Sequence, residues 1–264
     1  DTPAEAAGLR ENDLITAVGE ISTYQMSTDE VVTYIRGEEG TYVDLTIYRE
    51  GETDYLHFTV ERKRVESPTV NSKMIGEVGY IQITQFEEVT VNQFQEAYES
   101  LKTQGMKGLV LDLRSNPGGL LSSVIEIARQ ILPEGLIVYT EDKYGQREEF
   151  TCDGANEIDI PLAVLINGNS ASASEILAGA VKDYGIGTLV GTTTYGKGVV
   201  QNIFGLSDGS AIKLTISNYF TPNGNNIHGI GIEPDVEVEL DVDKYYDEGI
   251  DTQLEKALEI VNSE

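Results

Sequence analysis

The chain has 264 residues, 40% of them hydrophobic and 24% charged, enough for one large domain or a small domain plus a medium one, each with a core. A formal charge of −27 should repel nucleic acid and anionic lipid surfaces, and no run approaches the roughly 18 apolar residues that a membrane-spanning helix needs. The single cysteine, Cys152, excludes an internal disulfide and, with no His or second Cys beside it, makes a poor metal ligand.

Residues 1–64 read as a small α+β module. "AEAAGLRENDLITAVGE" gives a short helix, a turn at Gly8 and a strand over Leu14–Val18. "TDEVVTYIRG" is the next helix, with Thr28 or Asp29 as its N-cap and Gly37 as its stop. In "TYVDLTIYRE" the alternation of Val43, Leu45 and Ile47 with Asp44, Thr46 and Tyr48 predicts a half-buried strand, and "GETDYLHFTVERKRV" returns as its hairpin partner after Glu50–Gly51. The charged "ERKRVESP" is a linker. The start, "DTPAEAAGL", lacks the basic and apolar regions of a signal peptide and has no initiating Met, so the expectation is a fragment or a processed chain.

From about residue 70 onward strands and helices alternate. "VGYIQI" is a strand; Val91, Phe94, Tyr98 and Leu101 fall at helical spacing, with Gly105 ending that helix. "GLVLDL" and "PLAVLING" are unbroken apolar runs, as in strands covered on both faces. "SNPGG" is a tight turn, "LLSSVIEIARQIL" and "SASEILAGAVKDYG" are helices, and "GTLVG" is another strand. After Lys197 the pattern is strand-rich, through "VVQNIFGL", "AIKLTISNYF" and "VEVEL", before the amphipathic "DTQLEKALEIV". This rhythm predicts a parallel or mixed sheet with helices packed against it.

Two stretches carry candidate chemistry. "GTTTYGKGVVQ" begins like a nucleotide-binding G-x-x-x-x-G-K-[ST] loop, but Gly198 replaces the hydroxyl residue and a strand follows where the phosphate-binding helix should start. Lys197 is then either a solvated turn residue or has another task. "NGNSASASEILAG" puts small residues between a buried strand and a helix, a turn that exposes a side chain beside free helix N–H groups and suits a nucleophile with its oxyanion. Ser172 to Glu175 also fits a capping box, so Ser172 can equally serve as a cap.

A serine nucleophile needs a base. The chain has two histidines, His57 and His228; a triad through His228 has no local signature, and the alternative is a Ser–Lys dyad. A lysine base must be neutral, which asks its pKa to fall from ~10.4 toward ~7–8, about 4 kcal/mol against the ammonium form. Apolar surroundings supply this, and no acidic residue occurs between Tyr184 and Ser207.

"GYIQITQF", "GMKGLVLDLRSNPGGLL", "INGNSASASEILAGAVKD", "GTTTYGKGVVQ", "LSDGSAIKLTIS" and "GIGIEPDVEVE" occur in this order, and together they resemble the carboxyl-terminal processing peptidases, or tail-specific proteases, over residues 1–264. "DTPAEAAGLRENDLITAVGE" resembles the middle of their PDZ domain. The resemblance implies an α/β and α+β architecture: an N-terminally truncated PDZ-like domain over residues 1–64, then a crotonase- or Clp-protease-like α/β peptidase core with a mixed sheet over 65–264. It implies a serine endopeptidase cutting proteins near their C-terminus, with Ser172 as nucleophile, Lys197, 25 residues on, as general base and Gln201 positioning the lysine. Residues 197, 199 and 201 share one face of a strand, in keeping with that role. The oxyanion hole matches the backbone N–H groups of Gly118 and Ala173; a glycine at 118 lets backbone approach substrate closely, or simply makes a turn after Pro117.

No cofactor or metal is implied. Implied partners are protein or peptide substrates with free apolar C-termini; a homo-oligomer is possible, the site of action is extracytoplasmic, and any membrane anchor would lie outside this chain. The chain starts past the carboxylate-gripping loop of the PDZ domain, so the peptide groove, which captures tails by strand addition, is expected to be incomplete. Two other functions stand beside this one, a non-catalytic PDZ-type tail binder and an acyl-thioester enzyme on the related crotonase-like fold.

Overall fold

A computed structural model describes residues 2–65 and 67–263. The chain forms two compact units, Asp1–Ser67 and Pro68–Glu264.

The first unit holds α1 (Pro3–Ala6), β1 (Leu14–Val18), β2 (Ile21–Ser22), α2 (Thr28–Ile35), β3 (Tyr42–Tyr48) and β4 (Leu56–Glu61), with an antiparallel sheet in the order β2-β1-β3-β4. Alternation along β3 sends Val43, Leu45 and Ile47 into a core shared with Val18 and Val60. Helix α2 departs from expectation at its N-terminus. Its N-cap is Ser27 rather than Thr28 or Asp29, because Ser27 and Glu30 exchange hydrogen bonds, N–H to Oε2 at 2.8 Å and N–H to Oγ at 3.3 Å. At the other end the helix stops just ahead of Gly37, as expected, with Arg36 as its C-cap. The Arg62 guanidinium takes the terminal carbonyl of Ile35 at 2.6 Å, and a side chain at 37 would strike it, with a Cβ 2.8 Å from Nε.

The second unit runs β5 (Val70–Ile75), β6 (Val78–Ile83), α3 (Glu88–Thr103), β7 (Gly108–Asp112), α4 (Leu121–Ala128), β8 (Gly135–Asp142), β9 (Arg147–Cys152), β10 (Leu162–Ile166), α5 (Ala173–Tyr184), β11 (Thr188–Gly191), β12 (Val199–Gly205), β13 (Ala211–Phe220), β14 (Val236–Glu237) and α6 (Thr252–Val261). A six-stranded mixed sheet has the order β14-β11-β10-β7-β6-β5, parallel except for the antiparallel edge strand β5. The apolar runs of β7 and β10 serve two cores. Leu109, Leu111, Leu162, Val164 and Ile166 face the large core with α3, α4 and α5, while Val110, Ala163 and Leu165 face Ala257 and Val261 of α6. A second sheet, β12-β13-β8-β9, is antiparallel throughout. Strands β5, β8 and β9 were not anticipated from the sequence. β5 is largely exposed and β9 is charged over Arg147–Glu149, so neither shows a clean apolar rhythm.

The parallel sheet positions the site by carrying two loops to the same edge. β7 leads through 113–120 into α4, and the neighbouring strand β10 leads through 167–172 into α5. Ligand sites of open α/β sheets form at such carboxyl ends of strands.

Candidate active site

Ser172 sits on the turn between β10 and α5 with φ 56° and ψ −113°, a conformation that costs a non-glycine residue ~1–3 kcal/mol and persists only where neighbours hold it. Its neighbours do so. Of the three serines in "SASAS", the outer two are fully buried and spend their hydroxyls on the adjacent loop: Ser170 Oγ donates to the Leu113 carbonyl at 2.8 Å and Ser174 Oγ to the Asn116 carbonyl at 3.0 Å. The Ala171 N–H donates to the same Asn116 carbonyl at 3.0 Å. Ser172 and Glu175 are disposed as a capping box, but only its carboxylate half closes to hydrogen-bond geometry, Ser172 N–H to Glu175 Oε2 at 2.8 Å. The Glu175 amide goes to the Ser172 carbonyl at 2.9 Å. The middle hydroxyl is therefore left to face a cavity.

That cavity has a volume of about 280 Å³, and Ser172, Ala173, Lys197 and Gln201 all line it, beside the apolar side chains of Leu121 and Ile176. The sequence-predicted residues are thus brought together, with differences in detail. Lys197 lies ahead of β12 rather than within it; Lys197, Val199 and Gln201 all line the cavity, and the register shift beside Gln201 places its extra residue, Ile216, on β13. The Gln201 amide reaches Thr215 Oγ1 at 3.5 Å. Among the described residues no hydrogen bond joins Ser172 Oγ to Lys197 Nζ; such bonds are often loose before substrate binds.

The glycine at 118 is required by space. Its φ is +99°, and a Cβ there would lie 2.7 Å from the Ala171 carbonyl, 2.8 Å from Ser172 Cβ and 2.9 Å from the Ala173 nitrogen. The Gly118 N–H donates to Asn116 Oδ1 at 2.9 Å, whereas the Ala173 N–H, at the start of α5, has no acceptor among the described residues. Asn116 is fully buried and also donates to the Ile83 carbonyl at 2.8 Å, so one side chain ties the end of β6 to the glycine loop.

The expectation that the lysine segment is free of carboxylates is overturned. Sequence distance concealed Glu175, a fully buried carboxylate that accepts from the Lys197 N–H at 2.8 Å, the Gly196 N–H at 2.7 Å and Thr194 Oγ1 at 2.6 Å, besides Ser172. Tyr219, at the end of β13, also went unrecognised; it lines the cavity and donates its phenolic proton to the Lys197 carbonyl. Burial pushes its phenol far up, the Glu175 charge adds to this, and the Ser172 hydroxyl works in the opposite direction. Alternating strand residues could have flagged Tyr219 as inward-facing; nothing in sequence ties it to Lys197. Neither histidine lines the cavity: His57 is on β4 beside Thr46, and the His228 side chain is exposed, although its backbone packs against Gly198.

The family model for peptidase family S41 matches residues 77–238, which contain the whole of this cavity. The chain belongs to peptidase family S41. A PDZ-domain model matches residues 1–49. The S41 chain is 42% identical over 267 residues to the carboxyl-terminal-processing protease of Synechocystis sp., covering 98% of this chain and 62% of the relative. To the carboxy-terminal processing protease CtpA of Bacillus subtilis it is 38% identical over 259 residues, covering 94% and 55%. The chain thus spans about three fifths of the length of these curated relatives. Among solved structures, the photosystem II D1 C-terminal processing protease superposes with a TM-score of 0.61 at 35% identity, over 90% of this chain and 66% of that one. The mixed α/β fold with a PDZ domain ahead of an S41 core agrees with the sequence reading.

Proposed function

We propose that this chain is the catalytic part of a serine endopeptidase that cuts protein substrates near their C-terminus through a Ser172/Lys197 dyad. The observation that carries the reading is the strained, half-buried Ser172, whose flanking serines are consumed by structural bonds, facing one cavity with Lys197. Neutral Lys197 takes the Ser172 proton as Oγ attacks the scissile carbonyl, and returns it to the departing amine; water then releases the acyl-enzyme. The Ala173 N–H stands ready for the oxyanion. The Gly118 N–H joins it once released from Asn116 Oδ1. Gln201 steadies the lysine after exchanging its long contact with Thr215 for one to Nζ.

The apolar cavity wall and the PDZ match support substrates with free apolar tails. The names of the relatives support action near the carboxyl terminus of a protein; a site of action outside the cytoplasm and assembly into a homo-oligomer are part of the same reading. The two family matches support a division between a tail-binding module over residues 1–64 and a peptidase core over 65–264. The rival reading, a tail binder without chemistry, is separated by stoichiometry. Incubated with a peptide ending in an unblocked apolar residue, the chain is expected to convert many equivalents, and fewer when the terminus is amidated. Retention of one equivalent of intact peptide would favour the binder.

A further inference from the structure

The polar atoms around the cavity are arranged about a side chain that takes no part in the chemistry proposed above. Glu175 is in the first turn of α5, is completely buried, and has both carboxylate oxygens facing donors only. Oε2 accepts from the Ser172 N–H and from the Lys197 N–H, each at 2.8 Å. Oε1 accepts from the Gly196 N–H at 2.7 Å and from Thr194 Oγ1 at 2.6 Å. The Thr194 hydroxyl oxygen in turn accepts from the Ile232 N–H at 2.7 Å, so the hydroxyl is committed and its proton points to the carboxylate. Four donors meeting one acceptor-only group is the pattern that makes a buried anion tolerable.

The two donors on Oε2 belong to the two segments that must meet. Ser172 is carried on the loop after β10, and Lys197 on the loop after β11. The main-chain contact between them, Tyr195 N–H to the Ser170 carbonyl at 3.0 Å, lies two residues from each. A single carboxylate oxygen therefore fixes the distance between the nucleophile's nitrogen and the lysine's nitrogen. It also holds Ser172 at its strained φ of 56°.

We propose that Glu175 is a positioning residue that sets the approach of Ser172 to Lys197 and couples any movement of the lysine loop to the nucleophile turn. This rests on the dyad reading above. An error of about 1 Å in such an approach is worth about 10²-fold in rate, so the effect belongs in kcat rather than in substrate binding.

The test is steady-state cleavage of a peptide with an unblocked apolar C-terminus by the full chain carrying Glu175→Gln, Glu175→Asp or Glu175→Ala, with Lys197→Ala in parallel. Gln presents one acceptor oxygen to four donors and is expected to lower kcat about tenfold. Ala removes the clamp and is expected to lower it at least about 10²-fold. Asp keeps the charge but withdraws it by one methylene, and should fall between them. KM should stay within about threefold throughout, with kcat counted per folded molecule from circular dichroism. If Glu175→Ala does not fold, the Gln and Asp variants decide. Wild-type kcat in the folded Gln and Asp variants, or a loss carried by KM, would overturn the proposal. The parallel variant keeps the two ideas apart: an inactive Lys197→Ala beside fully active Glu175 variants removes the clamp and leaves the dyad, whereas an active Lys197→Ala removes the dyad itself.

Discussion

Residue by residue, the site is a set of groups whose alternatives have been used up. The sequence offered Ser172 both as cap and as nucleophile; its hydroxyl makes no cap hydrogen bond, while Ser170 and Ser174 spend theirs on the adjacent loop. Those bonds reach Leu113 and Asn116, more than fifty residues away in sequence, which is why no local pattern could reveal them. Lys197 was legible by its failed resemblance to a phosphate loop, since the strand that follows it ruled that loop out. Glu175 was legible as a capping residue but not as a partner of Lys197. Gly118 permits a sharp prediction. Alanine there must adopt φ near +99° and push its Cβ against Ala171, Ser172 and the Ala173 nitrogen. Gly118→Ala should lower kcat about 10²-fold or more, because the displaced groups include the Ala173 N–H proposed for the oxyanion, and should cost about 1–3 kcal/mol of stability. Steady-state kinetics and urea titration check both numbers.

Among the elements, the parallel strands were the most readable, because their unbroken apolar runs have no other economical meaning in a chain of this composition. β8 and β9 were not, and their hairpin is instead held by a turn in which Asp142 Oδ1 accepts from the Tyr144 and Gln146 N–H groups, at 2.8 and 2.9 Å. The element that depends most on polar contacts is α6. Arg114 donates to Asp112 and to Asp251, the N-cap residue of α6, through its Nη2 at 2.6 and 2.8 Å, and to Gln253 at 3.0 Å. Burial disfavours the Asp251 carboxylate, but its bonds to Arg114 and the Leu254 N–H outweigh that and leave its pKa lowered. Arg114→Ala strands two acids without their cation and should cost about 3–5 kcal/mol in urea denaturation, with amide exchange in α6 accelerating first. Unchanged exchange in α6 would show that the apolar face of Ala257 and Val261 alone holds the helix.

At the scale of the whole molecule, charge decides how the chain responds to acid. Asp13 in the first unit is held down to about 2, chiefly by its side-chain bond to Arg49, at 2.7 Å. Because the folded value lies below the ordinary ~3.9, this pair's contribution to stability is complete above the ordinary value and disappears as pH falls through about 2. The stability difference between the wild-type chain and Asp13→Asn should therefore be flat from neutral pH down to about 4.5 and shrink between about 4 and 2. A difference that stays constant to the lowest pH would assign the effect to packing.

The central claim concerns two side chains that line one cavity, with no hydrogen bond between them among the described residues. Lys197→Ala and Ser172→Ala, each folded as judged by circular dichroism, should lower kcat for cleavage of a peptide with an unblocked apolar C-terminus by at least about 10³-fold. The double variant should lose little more than either alone, because the two act as a unit. Wild-type turnover in either single variant, or losses that multiply in the double, would contradict the dyad.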